Sequence, residues 1–414
     1  MKIAILGYGV VGSGVLELIQ KKQTQEMVEL SVGAILVKER NDPRWKAIRK
    51  QVLVTDSFAE IIADESIECV VEVMGGIDPA YAYIKQALKA KRHVVSANKA
   101  VLAQHLSEFA ILAKENQVQL LFEASVGGGM PWLKSIQDVK RVDSIRYIQG
   151  ILNGTTNYML DQMSRSQLSF TQALAQAQAL GYAEADPSAD IDGIDIQRKL
   201  LISAALAWDI PLSLDQIAVR GIREITSTQI AYYKTINRTV KLLAEGVQYA
   251  NGYQFRIEPV LVQKNSIIGQ IHSNLNWGLV AGDSIGELQF IGQGAGKEAT
   301  ANAVVQNVLD IKKQIHRTPI SLKQSVPELI EQENEYMVYA ENFASASAAE
   351  KELHVLLAEK EEYGAASFYR TKPVMASVLQ QRLHAIEQQG ITISYVRLFQ
   401  QDEQFIKQKK GILV

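Results

Sequence analysis

The N-terminal third of the chain alternates short, continuous apolar runs with longer stretches of helical periodicity. Residues 2–6, KIAIL, predict a strand, VLELIQKKQ a helix, and residues 28–37, VELSVGAILV, a second strand. The rhythm continues through CVVEVM (69–74), a helix from about Pro79 to Ala90, HVVSA (93–97), a helix from about 101 to 116, and QLLFEA (119–124). Apolar runs without polar alternation belong to strands covered on both faces, and strands alternating with helices build a parallel, doubly wound α/β sheet.

The texture changes near residue 130. SIRYIQGIL (144–152) reads as a strand, the Ala/Gln-rich stretch 170–180 as part of a helical tract, and 193–208 as a further helix. Residues 253–262, 266–272 and 277–281 alternate as antiparallel strands do. We therefore expect a nucleotide-binding unit over 1–130 and an inserted α+β unit over 131–291. GQGAGKEATANAVVQNVLDI is a glycine loop feeding a helix, expected to complete the first unit over about 292–317. A third, small α+β unit is expected over 318–414, where residues 367–399 read strand, helix, strand and Gly390 ends the helix.

A chain of 414 residues has room for this division. Its net charge of −2 supplies no basic field for nucleic acid or an anionic membrane, and no apolar run approaches the ~20 residues of a membrane span. MKIAILGYG carries no cleavage site. The one cysteine, Cys69, rules out an intrachain disulfide and suits a reducing cytoplasm. It sits inside an apolar strand, where a thiol is a packed core group, so thioester-forming aldehyde oxidation lacks its nucleophile.

Gly7, Gly9 and Gly12 form GxGxxG between the first strand and the first helix. They permit a tight turn, close approach of a pyrophosphate and close helix–strand packing, while the helix start at Val10 and Val11 offers free N–H groups. The second strand ends in VKERND, where Glu39 lies between Lys38 and Arg40. A lone acid there would favour the 2′-hydroxyl of NAD; two flanking cations suit the 2′-phosphate of NADP, and use of NAD also stays open. Ser96 and Lys99 in SANK, and Gly75 in MGG, follow strand ends, where open α/β sheets place ligands.

FEASVGGGMP (122–131) is either a hinge or a turn whose carbonyls, with Glu123, hold a hard cation. ILNGTTNYML places Gly154, Thr155, Thr156 and Asn157 at a helix start, suited to a substrate carboxylate or to capping. GYAEADPSADIDGIDIQRK (181–199) reads as a polar loop entering a helix near Asp192, with Asp195 and Lys199 at i and i+4 on one face. That pairing suits a small amino acid, and equally an ordinary salt-bridged helix. Asp186, Asp190 and Asp192 are read as shaping the loop, with no catalytic role.

Together these motifs make the chain resemble the homoserine dehydrogenases. GYGVVG, EVMGG, SANKA, FEASVGGGMP, ILNGTTNYML, GYAEADPSADIDGIDIQRK and GQGAGKEATANAV occur in family order across residues 1–312. The resemblance implies reversible NAD(P)H-dependent reduction of L-aspartate 4-semialdehyde to L-homoserine, on the route to threonine and methionine. It implies a cytoplasmic homodimer or homotetramer, of the form not fused to a kinase, and assigns substrate binding and dimerisation to the unit over 131–291. Lys199 would give the proton to the carbonyl oxygen, with Lys99 beside nicotinamide and substrate; the division of acid–base work between the two lysines stays open. Glu184, Asp195, Gly154 and Thr155 would hold substrate, Glu184 near its amino group. Gly7, Gly9, Val10, Val11, Gly12, Lys38, Arg40, Gly75, Ser96, Lys99, Gly181 and Gly294 would line the cofactor. Glu123, Val126, Gly128 and Met130 match a structural sodium turn, three of them acting through carbonyls.

The departures lie late in the chain. GQGAG continues as Lys297-Glu298, more charged than the family usually has, and the tail stands where an ACT regulatory domain would. The glycine expected between that domain's first strand and helix is replaced by Thr371-Lys372-Pro373-Val374. A degenerate ACT-like domain with weak or lost threonine inhibition is expected. Two other readings are a different NAD(P)-dependent oxidoreductase of amino-acid chains and a non-catalytic nucleotide sensor; two lysines beside Glu184 and Asp195 argue against the sensor.

Overall fold

A computed structural model describes residues 1–315, 322, 328–391 and 393–399. Its first sheet holds six parallel strands: β1 (Lys2–Leu6), β2 (Ser31–Leu36), β3 (Leu53–Thr55), β4 (Ile67–Glu72), β5 (His93–Ser96) and β6 (Leu120–Leu121). Their order is β3-β2-β1-β4-β5-β6. The chain runs outward from β1 in one direction, then resumes at β4 and runs out in the other. This reversal opens a crevice at the C-terminal ends of β1 and β4, where doubly wound sheets bind dinucleotides.

Alternate residues explain the continuous apolar runs. Ala4, Leu6, Val70 and Val94 join one buried core, while Ile3, Ile5, Val71 and Val95 join the other. Cys69 is fully buried in the second. Strand β3 carries too few residues for its pattern to register in the sequence. QLLFEA yields only the two residues of β6, because the chain turns into a 3-10 segment at Glu123–Ser125. Helix Lys297–Lys312 packs on helix Val10–Lys21, and a Cβ at Gly14 would lie 3.0 Å from the Ala301 Cβ. Lys297 Nζ closes that contact on Glu17 Oε1 at 2.6 Å.

The second sheet is mixed. It contains β7 (Ile145–Ile151), β8 (Ala218–Val219), β9 (Arg238–Tyr249), β10 (Gly252–Gln263), β11 (Leu275–Gly282), β12 (Gly286–Gln293), β13 (Tyr336–Ala340), β14 (Leu357–Tyr363), β15 (Ala366–Thr371) and β16 (Ile393–Leu398). The order is β12-β11-β7-β9-β10-β16-β13-β15-β14, with β8 also on β10. Residues 266–272, expected as a strand, instead turn through Ile268–Gln270. The chain doubles back tightly there: a Cβ at Gly269 would stand 2.3 Å from the Gln263 carbonyl oxygen.

The tail contains more than strand, helix, strand. Its order is β13, helix Phe343–Leu353, β14, β15, helix Ala376–Glu387, β16. The strand taken from sequence as its first is therefore β15, the third. The first strand-to-helix connection is Glu341-Asn342, which also lacks glycine. Strand β16 pairs with β10 through Val260–Arg397 and Leu261–Leu398, so the tail and the middle unit share one sheet. Tyr232 stacks on Phe368 at 3.8 Å between ring centroids, and Gln229 Nε2 donates to Ser394 Oγ at 3.0 Å. Among the described residues, no helix is long and apolar enough to cross a membrane.

Candidate active site

The phosphate loop is built by steric necessity. Gly7 has φ of +96°, and a Cβ on Gly12 would lie 2.1 Å from the Gly7 carbonyl oxygen. Around the Cβ position of Gly9 nothing lies within 4 Å, leaving the approach open. Val10 and Val11 begin the following helix, with Val10 exposed. These residues fit a pyrophosphate at a helix N-terminus. At the end of β2, Lys38 is exposed, whereas Arg40 already pairs with Asp56 Oδ1 at 2.7 Å and Glu60 Oε1 at 2.9 Å.

The crevice beyond β4 and β5 is organised by Glu72, which is fully buried. It accepts hydrogen bonds from Ser96 Oγ at 2.7 Å, the Met74 amide at 2.9 Å and Asn98 Nδ2 at 3.3 Å. Burial pushes its carboxyl up from the ordinary value, against those bonds. Asn98 in turn caps the helix Lys99–Glu115. Lys99 is thus the first residue of a helix, held at the mouth of the crevice.

Lys99 Nζ lies 2.9 Å from Asp195 Oδ1, and Lys199 Nζ lies 2.8 Å from Asp195 Oδ2. The expected i, i+4 pair is formed on helix Ile194–Trp208, which is embedded among other elements over nearly its whole length. Gly193 starts that helix at φ +85°, with Val219 only 2.9 Å from where a Cβ would be. Lys199 is buried and also donates to the Leu152 carbonyl at 2.5 Å. A buried ammonium survives only with such partners. Burial opposes ionisation of Asp195, but the two lysines hold its carboxyl well below the usual carboxylate range. Lys99 is pushed upward, chiefly by Asp195.

Helix Gly154–Ser166 begins on the other side of the cluster. Its cap, Asn153, donates through Nδ2 to Asp195 Oδ2 at 2.9 Å and to Asp190 Oδ1 at 2.7 Å. Burial raises the Asp190 carboxyl, and the Asn153 bond opposes that rise. Asp190, read from sequence as loop-shaping, therefore stands inside the charged cluster. Thr155 Oγ1 donates to the Tyr182 carbonyl at 2.6 Å, tying the helix start to the 181–193 loop. Glu184 and Gly181 are exposed on that loop, and neither is a hydrogen-bond or ion-pair partner of Lys99 or Lys199.

Asn153 and Glu72 are the participants that the sequence reading did not single out, and Asp190 is one that it kept outside the site. Asn-Gly ahead of a helical stretch was the available signal for Asn153. An acid ending an otherwise apolar strand was the signal for Glu72.

Gly294 packs elsewhere. A Cβ there would overlap Asn276, and a Cβ on Gly128 would lie 2.6 Å from the Gly294 carbonyl carbon. The Glu123 carboxylate faces helix Trp132–Lys140, accepting from the Leu133 amide at 2.9 Å and the Lys134 amide at 2.7 Å.

Comparisons with known proteins identify the family. The family model described as homoserine dehydrogenase, NAD binding domain, matches residues 7–123, and that described as homoserine dehydrogenase matches residues 131–309. The chain belongs to the homoserine dehydrogenase family. It is 40% identical over 317 residues to the homoserine dehydrogenase of Synechocystis sp., covering 75% of this chain and 73% of that protein. The Bacillus subtilis homoserine dehydrogenase is 35% identical over 319 residues, covering 76% and 73%. The crystal structure of a homoserine dehydrogenase from Thiobacillus denitrificans superposes with a TM-score of 0.86 at 27% identity, covering 96% of this chain and 98% of that one. The S. aureus homoserine dehydrogenase gives 0.76 at 30%, covering 97% and 98%. The enzyme is an NAD(P)-dependent oxidoreductase that interconverts L-aspartate 4-semialdehyde and L-homoserine.

Proposed function

We propose that Lys199 and Lys99 perform the acid–base chemistry of this reduction, with Asp195 between them. The observation that carries the proposal is the sharing of one buried carboxylate by two lysines, one oxygen each. The reduced nicotinamide, when bound, supplies the hydride. Negative charge then grows on the aldehyde oxygen, and an ammonium beside it stabilises that charge and gives its proton. Lys199 is the donor, because its hydrogen bonds to Leu152 and Asp195 fix Nζ in one place. Lys99, half exposed at the crevice mouth, faces nicotinamide and substrate and takes part in proton return. Glu184 receives the substrate amino group, and Gly154 with Thr155 its carboxylate. For Glu184 this requires the exposed 181–187 loop to fold inward over substrate.

NADP is the proposed cofactor, with NAD as an alternative. The glycine loop, Gly75, Ser96 and Gly181 line its path, and Lys38 with Arg40 meets the 2′-phosphate. A solved hyperthermophilic archaeal homoserine dehydrogenase is described in complex with NADPH, and it superposes with a TM-score of 0.65 at 25% identity, covering 76% of this chain and 98% of that one. For Gly294 we propose contact with the 127–130 turn in addition to cofactor. A structural sodium ion there would be held by backbone carbonyls of Glu123, Val126, Gly128 and Met130, since the Glu123 carboxylate is engaged by two amides. Positive φ at Gly127 and Gly128 lets this turn curl.

We assign 1–130 with 292–317 to cofactor binding, 131–291 to substrate binding and dimerisation, and 318–414 to an ACT-like unit. The β-α-β-β-α-β order of the tail supports that last assignment. A cytoplasmic homodimer or homotetramer completes the reading. The test is NADPH or NADH oxidation with aspartate semialdehyde, set against succinic semialdehyde, which lacks the amino group. Turnover of the first alone supports the reading; turnover of neither overturns it.

A further inference from the structure

We propose that Asn153 is a positioning residue that allows Asp190 and Asp195 to face the lysine pair as two carboxylates in one partly buried cluster. The proposal rests on the assignment of that cluster as the active site. Three observations carry it. Asn153 Oδ1 accepts from the Thr156 amide at 2.8 Å and from Thr156 Oγ1 at 3.0 Å, so the helix cap fixes which end of the carboxamide is which. Its Nδ2 is thereby aimed away from the helix, and one N–H goes to each carboxylate, at 2.7 Å to Asp190 and 2.9 Å to Asp195. Among the described residues, Asp190 has no lysine within ion-pair distance, whereas Asp195 has two.

Two close carboxylates in a partly buried site repel, and ionising both needs something to offset that repulsion. For Asp195 the lysines do this. Among the described residues, the one direct side-chain donor to Asp190 is Asn153, with Lys99 and Lys199 acting electrostatically. Arg198 is a further charged neighbour of the cluster, acting on Lys99. Without Asn153 Nδ2, Asp190 takes up a proton at higher pH. It then presents an O–H where substrate or Asp195 meets an acceptor, and Lys199 loses the alignment that Asp195 gives it.

The cap and the donor functions separate chemically. Serine is as good a helix cap as asparagine, but has no N–H pair. Aspartate also caps, and adds a third carboxylate. We expect Asn153→Ser to lower kcat about tenfold, with cofactor KM within about twofold, and to move the acid limb of the kcat/KM profile upward by about one pH unit. Asn153→Asp should lose more, at least about a hundredfold at neutral pH, and recover partly on acidification. The carboxyl titration of Asp190, followed by carbon NMR in the resting protein, should shift upward in Asn153→Ser. This readout does not depend on turnover, so it separates failure of the positioning claim from failure of the enzymatic assignment. An unchanged Asp190 titration in a folded Asn153→Ser variant overturns the proposal. So does an activity loss in both variants that is confined to cofactor KM.

Discussion

Arg397 on β16 donates through Nε to Glu258 Oε1 on β10 at 2.6 Å, and both side chains are almost completely withdrawn from solvent. Arg256 and Glu245 extend the contact, Arg256 Nε donating to Glu245 Oε1 at 2.8 Å, and Gln149 on β7 donates to the other Glu245 oxygen at 2.6 Å. The C-terminal unit is therefore joined to the middle sheet by charge as well as by strand pairing. Removing one member of such a cluster strands its partner without compensation. Arg397→Ala should cost about 3–5 kcal/mol and loosen the tail before the rest unfolds. Urea unfolding followed by circular dichroism, with limited proteolysis between residues 328 and 399, reads both effects. A loss below about 1 kcal/mol with unaltered proteolysis would show the pair to be dispensable.

Lys199→Ala is expected to reduce kcat at least about a hundredfold, the usual scale for a lost general acid. Cofactor dissociation constants should change less than about twofold, because Lys199 reaches Leu152 and Asp195 rather than the phosphate loop. Steady-state kinetics with aspartate semialdehyde, together with cofactor fluorescence titration, checks this. Near-normal turnover would remove Lys199 from the mechanism.

The sequence revealed the dinucleotide fold because its strands are covered on both faces, and a continuous apolar run is hard to mistake in that context. Asp195 and Lys199 were legible because helical spacing alone joins them. Lys99 approaches the same carboxylate from a different element, and no local pattern reports such a meeting. Asn153 hid for a similar reason: a cap is visible in sequence, but the direction of its other amide end is not. The tail was misread by three elements: strand β13, helix Phe343–Leu353 and strand β14 went unread. Its first strand follows an irregular segment, residues 328–335, and strand β14 is charged along most of its length, which masks the alternation that marks a strand.

Threonine should not inhibit this enzyme strongly. At the first strand-to-helix connection of the tail, Asn342 and Ser345 form a reciprocal capping box, Asn342 Oδ1 accepting from the Ser345 amide at 3.1 Å and Ser345 Oγ from the Asn342 amide at 3.0 Å. Those amides are already satisfied and no glycine brings the backbone close to a ligand. Initial rates across a threonine titration should decline by less than about twofold up to millimolar concentration. Saturable inhibition in the micromolar range would contradict this.

Lys38 should govern the choice between NADPH and NADH more than Arg40 does. Arg40 divides its guanidinium between Asp56 and Glu60, while Lys38 is exposed beside it. Losing a hydrogen bond to a charged phosphate costs about 1.5–3 kcal/mol, or about tenfold or more in affinity. Lys38→Ala should therefore raise the KM for NADPH by about that factor and leave NADH within about twofold. Equal effects on both cofactors would place Lys38 away from the 2′-phosphate.

Lys241 makes stability depend on alkaline pH. Its ammonium is buried on β9, bonded to Asn157 Oδ1 at 2.9 Å and to the Ile271 carbonyl, and burial brings its pKa down to about 8 from the 10.5 of an exposed lysine. Below about pH 8 both folded and unfolded chains hold the proton, and the folded state bears the cost of burying charge. Between about 8 and 10.5 the unfolded chain binds the proton that the folded chain has released. Stability contributed by this residue therefore rises with pH through that window and levels off above it. The full change amounts to about 3 kcal/mol. Lys241→Met removes the titrating group, so the difference in unfolding free energy between wild type and variant, measured in urea from pH 7 to 10, should slope upward in favour of wild type. A flat difference would show that Lys241 keeps an ordinary lysine pKa in the folded protein.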